Sequence, residues 1–312
     1  MSGRTDRQIR TFRRSVEDAR QQASRVDRQR AEAIARLAIL LSVTGRTYDQ
    51  LARLAHTHLG EAHAARWIAL LRPAVQLRHA RDGDDVLARL AGTPALPDDV
   101  PWPEWPGHGP LGFVAEVDLA VLARAGLDAG LALPTDGRLL AFYFDDPEGT
   151  GAVVVTSDPD SFPGSRLLHV SHTAPTTDPL VELTGVQVLT WPDHEHPVLE
   201  RQGLDELPDP FVEALDRLLE GELGDAWGRH LGGWARPVQG PVELEVAETR
   251  LGEATYDDAH EAEALGWRPL LQIDSDHATG PSWGAAECLY WLARTDGAAP
   301  PRESDFAFTW QC

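Results

Sequence analysis

PLGFVAEVDL at residues 110–119 and PLLQIDSD at residues 269–276 are the two stretches that decide the fold. Each begins with Pro-Leu, continues as an apolar run and ends in acidic residues, which is typical of a buried strand that leads into a turn. A turn rich in Gly and Pro precedes each stretch, at residues 91–97 and 231–237, and an aromatic strand follows it. Because the same order of features occurs twice, the sequence predicts two copies of one unit in a pseudo-symmetric sheet.

The rest of the C-terminal part supports an α+β fold. Short runs at residues 152–156 and 186–190 predict further strands, and residues 210–223 predict one amphipathic helix. Strands and turns with few helices between them predict a mainly antiparallel sheet, since a parallel sheet would need a crossover helix between its strands.

The N-terminal part is predicted to be helical. Residues 4–44 contain neither Gly nor Pro, and their apolar residues recur at intervals of three and four, which predicts a heptad helix. Two short amphipathic helices that break at Gly60 are predicted next. We therefore predict a helical lobe over residues 1–80 and an α+β domain with an internal duplication over residues 81–312. The long helix needs a packing partner, either the following helices or a second copy of the chain, so a monomer and a homodimer both remain possible.

Composition restricts the cellular compartment and the chemistry. The chain has only two cysteines, Cys288 and Cys312, which predicts no disulfide framework and no zinc knuckle. We expect a cytoplasmic protein, because no signal peptide and no apolar run near the ~18 residues of a membrane span is evident. Lysine is absent, so a lysine P-loop, a pyridoxal Schiff base and a Ser-Lys dyad are all excluded.

Charge is distributed unevenly along the chain. Residues 1–90 carry 17 arginines and 10 acidic residues, whereas residues 91–312 carry 11 arginines and 39 acidic residues. The acidic part is expected to repel nucleic acid and membrane surfaces and to favour a protein or a cationic peptide as its partner. DNA binding by the helical lobe is a third hypothesis, because a helix pair with a Gly turn can form a helix-turn-helix.

Seven short motifs in order resemble the YwqG-like family, a bacterial domain of unknown function. They are Gly92-x-Pro94-x-Leu96-Pro97 with Trp102-Pro103, residues 110–119, Leu133-Pro134-x-x-Gly137, Leu231-Gly232 with residues 237–239, residues 270–276, Trp283-Gly284 and Asp305-Phe306. The resemblance covers roughly residues 80–312 and implies a two-repeat α+β fold without an established activity. Where the family has Trp-Gly-Asp-x-Gly, this chain has Trp283-Gly284-Ala285-Ala286-Glu287.

Carboxylates after the two repeated strands are candidate metal ligands. Asp274 and Asp276 lie on one side of an extended segment, and Asp118 occupies the equivalent place in the first repeat. Hard cations such as Mg²⁺ and Ca²⁺ bind oxygen clusters of this kind, so the alternative hypothesis is a metal-assisted hydrolase. No other cofactor is expected. The simpler interpretation is that these acids cap turns or face solvent.

Two other catalytic patterns fail on inspection. Residues 280–284 match the Gly-x-Ser-x-Gly nucleophile elbow, but no histidine follows Ser282, so the catalytic order of that class cannot be completed. The pair His194 and His196 has a spacing that could hold a transition metal, but the flanking prolines favour an exposed loop. An enzyme is therefore the less favoured class.

Glu116 and Gln272 occupy matching positions inside the two apolar strands. A buried polar residue of this kind either clamps a neighbouring backbone or points into a ligand cleft. We take both as candidate ligand-binding residues, together with Asp274 and Asp276 and with Trp102 and Trp283 in the Gly/Pro turns. Tryptophans beside carboxylates suit a cationic side chain, so the leading hypothesis is a non-catalytic protein- or peptide-binding module with an acidic, Trp-lined surface.

Overall fold

The computed structural model describes most of the chain from residue 47 onward. The described residues are 47–92, 94, 101–143, 151–155, 180–219, 228–252, 257–275, 283, 286–294 and 305–312. The predicted heptad helix over residues 4–44 lies outside them, and so does Asp276.

Two helices precede the sheet, as the sequence predicts. Helix α1 is described over residues 47–58 and α2 covers Glu61–Ile68, with the break at Gly60. Their apolar faces pack against a later helix, where the ring of Trp67 meets Phe211 edge-on at 5.0 Å between centroids. Tertiary packing of this kind stabilises helices that are too short to be stable alone.

Twelve strands are present among the described residues. They are β1 Arg72–His79, β2 Ala88–Leu90, β3 Glu104–Trp105, β4 Gly109–Pro110, β5 Gly112–Asp118, β6 Arg138–Tyr143, β7 Gly151–Val155, β8 Val181–Thr190, β9 His230–Gly232, β10 Trp267–Asp274, β11 Cys288–Arg294 and β12 Phe306–Gln311. β3 and β4 form a separate small hairpin, and the other ten strands form one sheet in the order β12-β11-β10-β9-β1-β8-β2-β5-β6-β7. Each described pair is antiparallel, which confirms the predicted fold class.

The remaining helices lie between the strands. They are α3 Leu119–Ala125, α4 Pro197–Arg201, α5 Asp209–Leu218, α6 Val242–Leu251 and α7 Asp258–Ala264. Helix α5 is the amphipathic helix predicted from residue 210, and Phe211, Leu215 and Leu218 form its buried face. None of the described helices has the length and apolar character that crossing a membrane requires.

The sheet curls until its two terminal strands meet. The ring of Phe308 in β12 lies so close to Gly151 in β7 that a Cβ at that position would overlap it. The largest apolar cluster, which includes Val75, Leu231 and Trp291, draws its residues from both halves of the sheet. Close contact between β7 and β12 also covers the two sheet edges, which would otherwise present unpaired backbone groups.

Two equivalent halves confirm the internal repeat. Strands β2, β5, β6, β7 and β8 correspond to β9, β10, β11, β12 and β1 in their neighbours and direction. The pairing register shifts at matching places, between Phe113 and Ala115 in β5 and between Pro269 and Leu271 in β10. A β-bulge at the same position in both halves is a feature of the repeated unit.

The repeated Gly/Pro turns adopt the same unusual backbone. Ala91 and Gly92 have φ values of 56° and 79°, and Gly232 and Gly233 have 72° and 77°. The first repeat accepts an alanine at the first of these positions, but a Cβ at Gly232 would overlap the carbonyl oxygen of Ala129. The glycine is therefore required in the second repeat by a close backbone approach as well as by its φ.

Strand β1 extends the sheet into the segment that the sequence analysis assigned to the helical lobe. It pairs with β8 from Arg72 to His79 and with β9 from Ala74 to Gln76. The sheet therefore begins before residue 81, and the helical part that the structure describes ends with α2 and the turn after it. The two equivalent strands β1 and β8 stand at different places in their repeats: β1 comes before all the other strands, whereas β8 comes last in the first half. The order of features that repeats in the sequence therefore does not include residues 72–79.

We expect Gly232→Ala to lower the free energy of unfolding by about 3 kcal/mol or more, because the substitution combines a positive φ with an overlap against backbone. Gly83→Ala is the matched control, since Gly83 has a φ of 93° with nothing within 4 Å of a Cβ. That control should lose only about 1 kcal/mol. Urea unfolding of both variants measures the difference, and equal losses would contradict the packing argument.

Candidate functional site

Glu116 is the centre of an ion-pair network in the first repeat. Its Oε1 accepts hydrogen bonds from Nη1 of Arg89 and Nη1 of Arg138, both at 3.1 Å, and its side chain is 9% exposed. Asp118 lies beside this network, with Oδ2 3.7 Å from Nη2 of Arg138. Its Oδ1 accepts a hydrogen bond from the backbone N–H of Val121 at 2.9 Å and so caps α3. Both carboxylates thus have structural contacts.

Gln272, the equivalent of Glu116, clamps a loop. Its Oε1 accepts a hydrogen bond from the backbone N–H of Arg236 at 2.9 Å, and its Nε2 donates to the carbonyl of the same residue at 3.2 Å. The hydroxyl of Tyr290 donates to that carbonyl at 3.0 Å. This geometry is the backbone-clamping alternative that the sequence analysis raised for a buried polar residue in this strand.

Asp274 and Asp118 are not brought together. Asp274 Oδ1 lies 2.7 Å from Nε of Arg229, on a strand separated from that of Asp118 by four others. The described residues contain no group of three His, Cys, Asp or Glu side chains that could hold a metal ion. Asp274 pairs with Arg229, and Asp118 lies beside Arg138, which it shares with Glu116. The position of Asp276 lies outside the described residues.

Both predicted tryptophans have structural contacts. Trp102 Nε1 donates to the carbonyl of Leu111 at 2.7 Å, and Trp283 Nε1 donates to the carbonyl of Asp274 at 3.0 Å. Trp283 is only 2% exposed and packs in the main core. These two indoles therefore fix turns beside the sheet.

The two histidines of the His-x-His pair have different environments. His194 is 61% exposed, with Nδ1 3.4 Å from Oδ2 of Asp193. His196 is buried, and its Nδ1 accepts a hydrogen bond from the backbone N–H of Val198 at 3.1 Å, so it caps α4. One imidazole is exposed and the other is in the interior, which does not suit joint coordination of one metal ion.

A cleft that the sequence analysis did not predict lies between the N-terminal helices, α5 and the ends of β8 and β9. We call it the Trp cleft, and its volume is about 210 Å³. It is lined by Trp67, Thr190, Trp191, Pro192, Asp193, His194, Leu207, Val212, Leu215, Asp216, Leu219, Trp234, Ala235, Arg236 and Pro237. Three tryptophans and two carboxylates line it, and of the tryptophans Trp67 and Trp234 are buried whereas Trp191 is partly exposed. None of the predicted site residues lines it, although Gln272 holds the backbone of Arg236 in its wall.

The tryptophans of the Trp cleft are held rigidly. Trp234 donates from its backbone N–H to Oγ1 of Thr190 at 2.9 Å and from Nε1 to the carbonyl of Leu70 at 2.7 Å. The rings of Trp67 and Trp191 lie 6.4 Å apart at an angle of 45°. The guanidinium carbon of Arg72 lies 3.2 Å from the ring centroid of Trp234, so one indole already carries a cation–π contact.

The two carboxylates of the Trp cleft differ in their exposure and in their hydrogen bonds and ion pairs. Asp193 is half-buried, and its Oδ1 accepts a hydrogen bond from the backbone N–H of Glu195 at 2.9 Å. Asp216 lies on the exposed side of α5 and has no ion pair within 4.0 Å among the described residues. Because the cleft is made from four separate segments of the chain, no local motif could have revealed it. Trp191 beside Pro192 and Trp234 three residues before Pro237 were the sequence signal for it.

The two cysteines have different environments, and the buried one is not suited to act as a catalytic nucleophile. Cys288 is 2% exposed in β11, and burial raises the pKa of its thiol to about 12. Cys312 is exposed at the end of the chain. Since the thiolate is the reactive form, a catalytic cysteine needs a lowered pKa rather than a raised one.

We expect one thiol of the native protein to react quickly with a disulfide reagent and the other to react only after unfolding. Cys312→Ser should remove the fast phase, and Cys288→Ser should leave it unchanged. Stopped-flow absorbance, recorded with and without denaturant, measures how many thiols react in the native protein and how many react only after unfolding. Fast modification of Cys288 in the folded protein would contradict its burial.

We expect Glu116→Ala to lower the free energy of unfolding by about 2–3 kcal/mol, because it leaves two arginines without their shared buried carboxylate. The control is Glu182→Ala. Glu182 also pairs with Arg89, but the side chain of Glu182 is 48% exposed. That variant should stay within about 1 kcal/mol of the parent protein. Chemical denaturation of both variants gives the comparison, and a smaller loss for Glu116→Ala than for the control would overturn the assignment.

Comparison with known proteins gives a family but no activity. A family model described as a domain of unknown function, DUF1963, matches residues 88–312, and the chain belongs to this family. No curated protein matches the chain. The matched segment begins at β2, close to the start of the YwqG-like resemblance near residue 80.

Proposed function

We propose that this member of the DUF1963 family is a non-catalytic binding module that takes a cationic side chain of a protein or peptide partner into the Trp cleft. One observation carries the proposal: three tryptophans and two carboxylates line a single cleft. An indole face attracts a cation through its quadrupole, and a nearby carboxylate adds a charge-assisted hydrogen bond.

The size and construction of the Trp cleft favour a single side chain. A volume of about 210 Å³ lies below the ~300–1,000 Å³ typical of clefts for drug-sized molecules. Arg72 provides an example within the chain, because its guanidinium already stacks on Trp234. An arginine of a partner would find comparable indole surface on Trp191, which remains partly exposed.

Charge beyond the Trp cleft supports the same partner. The acidic excess of residues 91–312 raises the local concentration of cationic molecules and speeds their association at low salt. A reducing cytoplasm is the compartment that we propose, since both cysteines are free.

We expect a short arginine-containing peptide to bind more tightly than the same peptide with citrulline in place of arginine. Citrulline keeps the shape of the side chain and removes its charge, so the pair isolates the cation. Titration calorimetry at low and high salt measures both affinities, and the difference should shrink as salt screens exposed charges. Equal affinities of the two peptides, or binding of neither, would overturn the proposal.

Two substitutions on α5 test whether the arginine peptide binds in the Trp cleft. Asp216→Asn should weaken binding of the arginine peptide about two- to five-fold, because an exposed charge pair contributes ~0.5–1 kcal/mol. Glu213→Gln makes the same charge change on the same helix, at a residue that pairs with Arg217 and lies outside the cleft. Equal weakening by both variants would show a general effect of charge and contradict the cleft as the site.

A further inference from the structure

β9 ends before its two neighbours and leaves a gap in the sheet, and each neighbour carries an arginine close to it in sequence, Arg72 in β1 and Arg268 in β10. β9 lies between β1 and β10 but ends at Gly232. Continued by two residues, the register of the β1–β9 pair would place Trp234 level with Arg72, and Arg268 lies in β10 just beyond the β-bulge between Pro269 and Leu271. One strand position separates β1 from β10 here, and two strand spacings correspond to about 10 Å.

Both guanidinium groups have buried N–H groups without a partner. Nη1 of Arg72 and Nε of Arg268 have no hydrogen-bond acceptor among the described residues, although each atom is inaccessible to solvent. Nη1 of Arg268 donates to the carbonyl of Gly130 at the long distance of 3.4 Å. Gly130 in turn packs against Pro73, the residue after Arg72. The loop that contains Gly130 therefore contacts both Arg268 and the residue that follows Arg72.

Glu243, a carboxylate near Arg72, does not satisfy these donors. Glu243 is 1% exposed, and its Oε1 also lacks a hydrogen-bond partner among the described residues. Its Oε2 lies 3.7 Å from Nε2 of the buried His196. Burial first, and then the charge of Arg268, lower the pKa of Arg72 to about 9. The guanidinium is still charged at neutral pH, so the gap carries a local excess of positive charge.

We propose that a small oxyanion, such as a carboxylate or a phosphate-type group, binds between Arg72 and Arg268 at the end of β9. Unpaired buried donors and like charges are unfavourable, and an oxyanion compensates both at once. A guanidinium presents its N–H groups as a planar fork that matches two oxygens of a carboxylate or a phosphate. This site is separate from the Trp cleft, although Arg72 stacks on Trp234 in the cleft wall.

Titration of the full chain with sodium acetate and with sodium phosphate, each at constant ionic strength, tests the proposal. We expect a saturable rise in the melting temperature with one anion or both, and calorimetry gives the dissociation constants. A response to acetate alone identifies a carboxylate ligand, and a response to phosphate alone identifies a phosphate-type ligand. The absence of a saturable response to either anion at tens of millimolar would overturn the proposal.

Three variants distinguish the site from general charge effects. Arg268→Gln should weaken anion binding about ten-fold or more, since it removes a charge-assisted contact. Arg250→Gln, which changes a 45% exposed arginine paired with Glu263, should leave the affinity unchanged. Glu243→Gln should strengthen binding because it removes a competing negative charge.

The measurements remain decisive if one variant does not fold. Arg72→Gln tests the other half of the site in the same way, and the titrations of the parent protein need no variant. Equal affinities in Arg268→Gln, Arg72→Gln and Arg250→Gln would place the anion elsewhere and overturn the assignment. A loss confined to the first two would support it.

Discussion

The position of β1 in the centre of the sheet is the constraint on which the rest of the structure depends. The first half of the sheet consists of β2 and β5 to β8, which follow one another in sequence. The second half consists of β9 to β12 and of β1, which precedes all the other strands in the chain. β1 pairs with both β8 and β9, so it joins the halves and covers two strands that would otherwise be edges. Because α2 directly precedes β1, the same pairing brings Trp67 to the end of the sheet where the Trp cleft lies.

Buried glutamines fix the irregular backbone around this sheet. Gln187 donates from Nε2 to the carbonyls of Ala74 and Asp128 and accepts from the N–H of Asp128. Gln272 bonds both backbone groups of Arg236, and Gln311 accepts from Val238 and donates to Gly240. An amide supplies a donor and an acceptor together, which an ionised carboxylate cannot. Residues 236–240 are thus held from both ends, and the wall of the Trp cleft is fixed before any ligand arrives.

The fold was more predictable than the site, for physical reasons that particular residues illustrate. The matching apolar strands around Glu116 and Gln272 carry their pattern within a few residues, so their equivalence and the antiparallel sheet followed from sequence. The role of each polar residue did not, because Glu116 meets arginines on neighbouring strands while Gln272 meets a loop. The Trp cleft combines Trp67, Thr190, Asp216 and Trp234 from four segments, and only tertiary packing brings these together.

The molecule can attract cations at its acidic surface and bind an oxyanion at two arginines, because the exposed charges act through solvent and the arginine N–H groups are buried. The net charge of −21 acts through solvent, where salt screens it beyond about 8–10 Å, and it favours the approach of cations to the exposed Asp216. Arg72 and Arg268 each have a buried N–H group, and a contact between buried groups and an oxyanion is screened much less. The long-range field therefore slows the arrival of an anion without deciding its affinity, which the two guanidinium groups set locally. Trp234 lies between these environments, with the guanidinium group of Arg72 on its ring and the Trp cleft beside it.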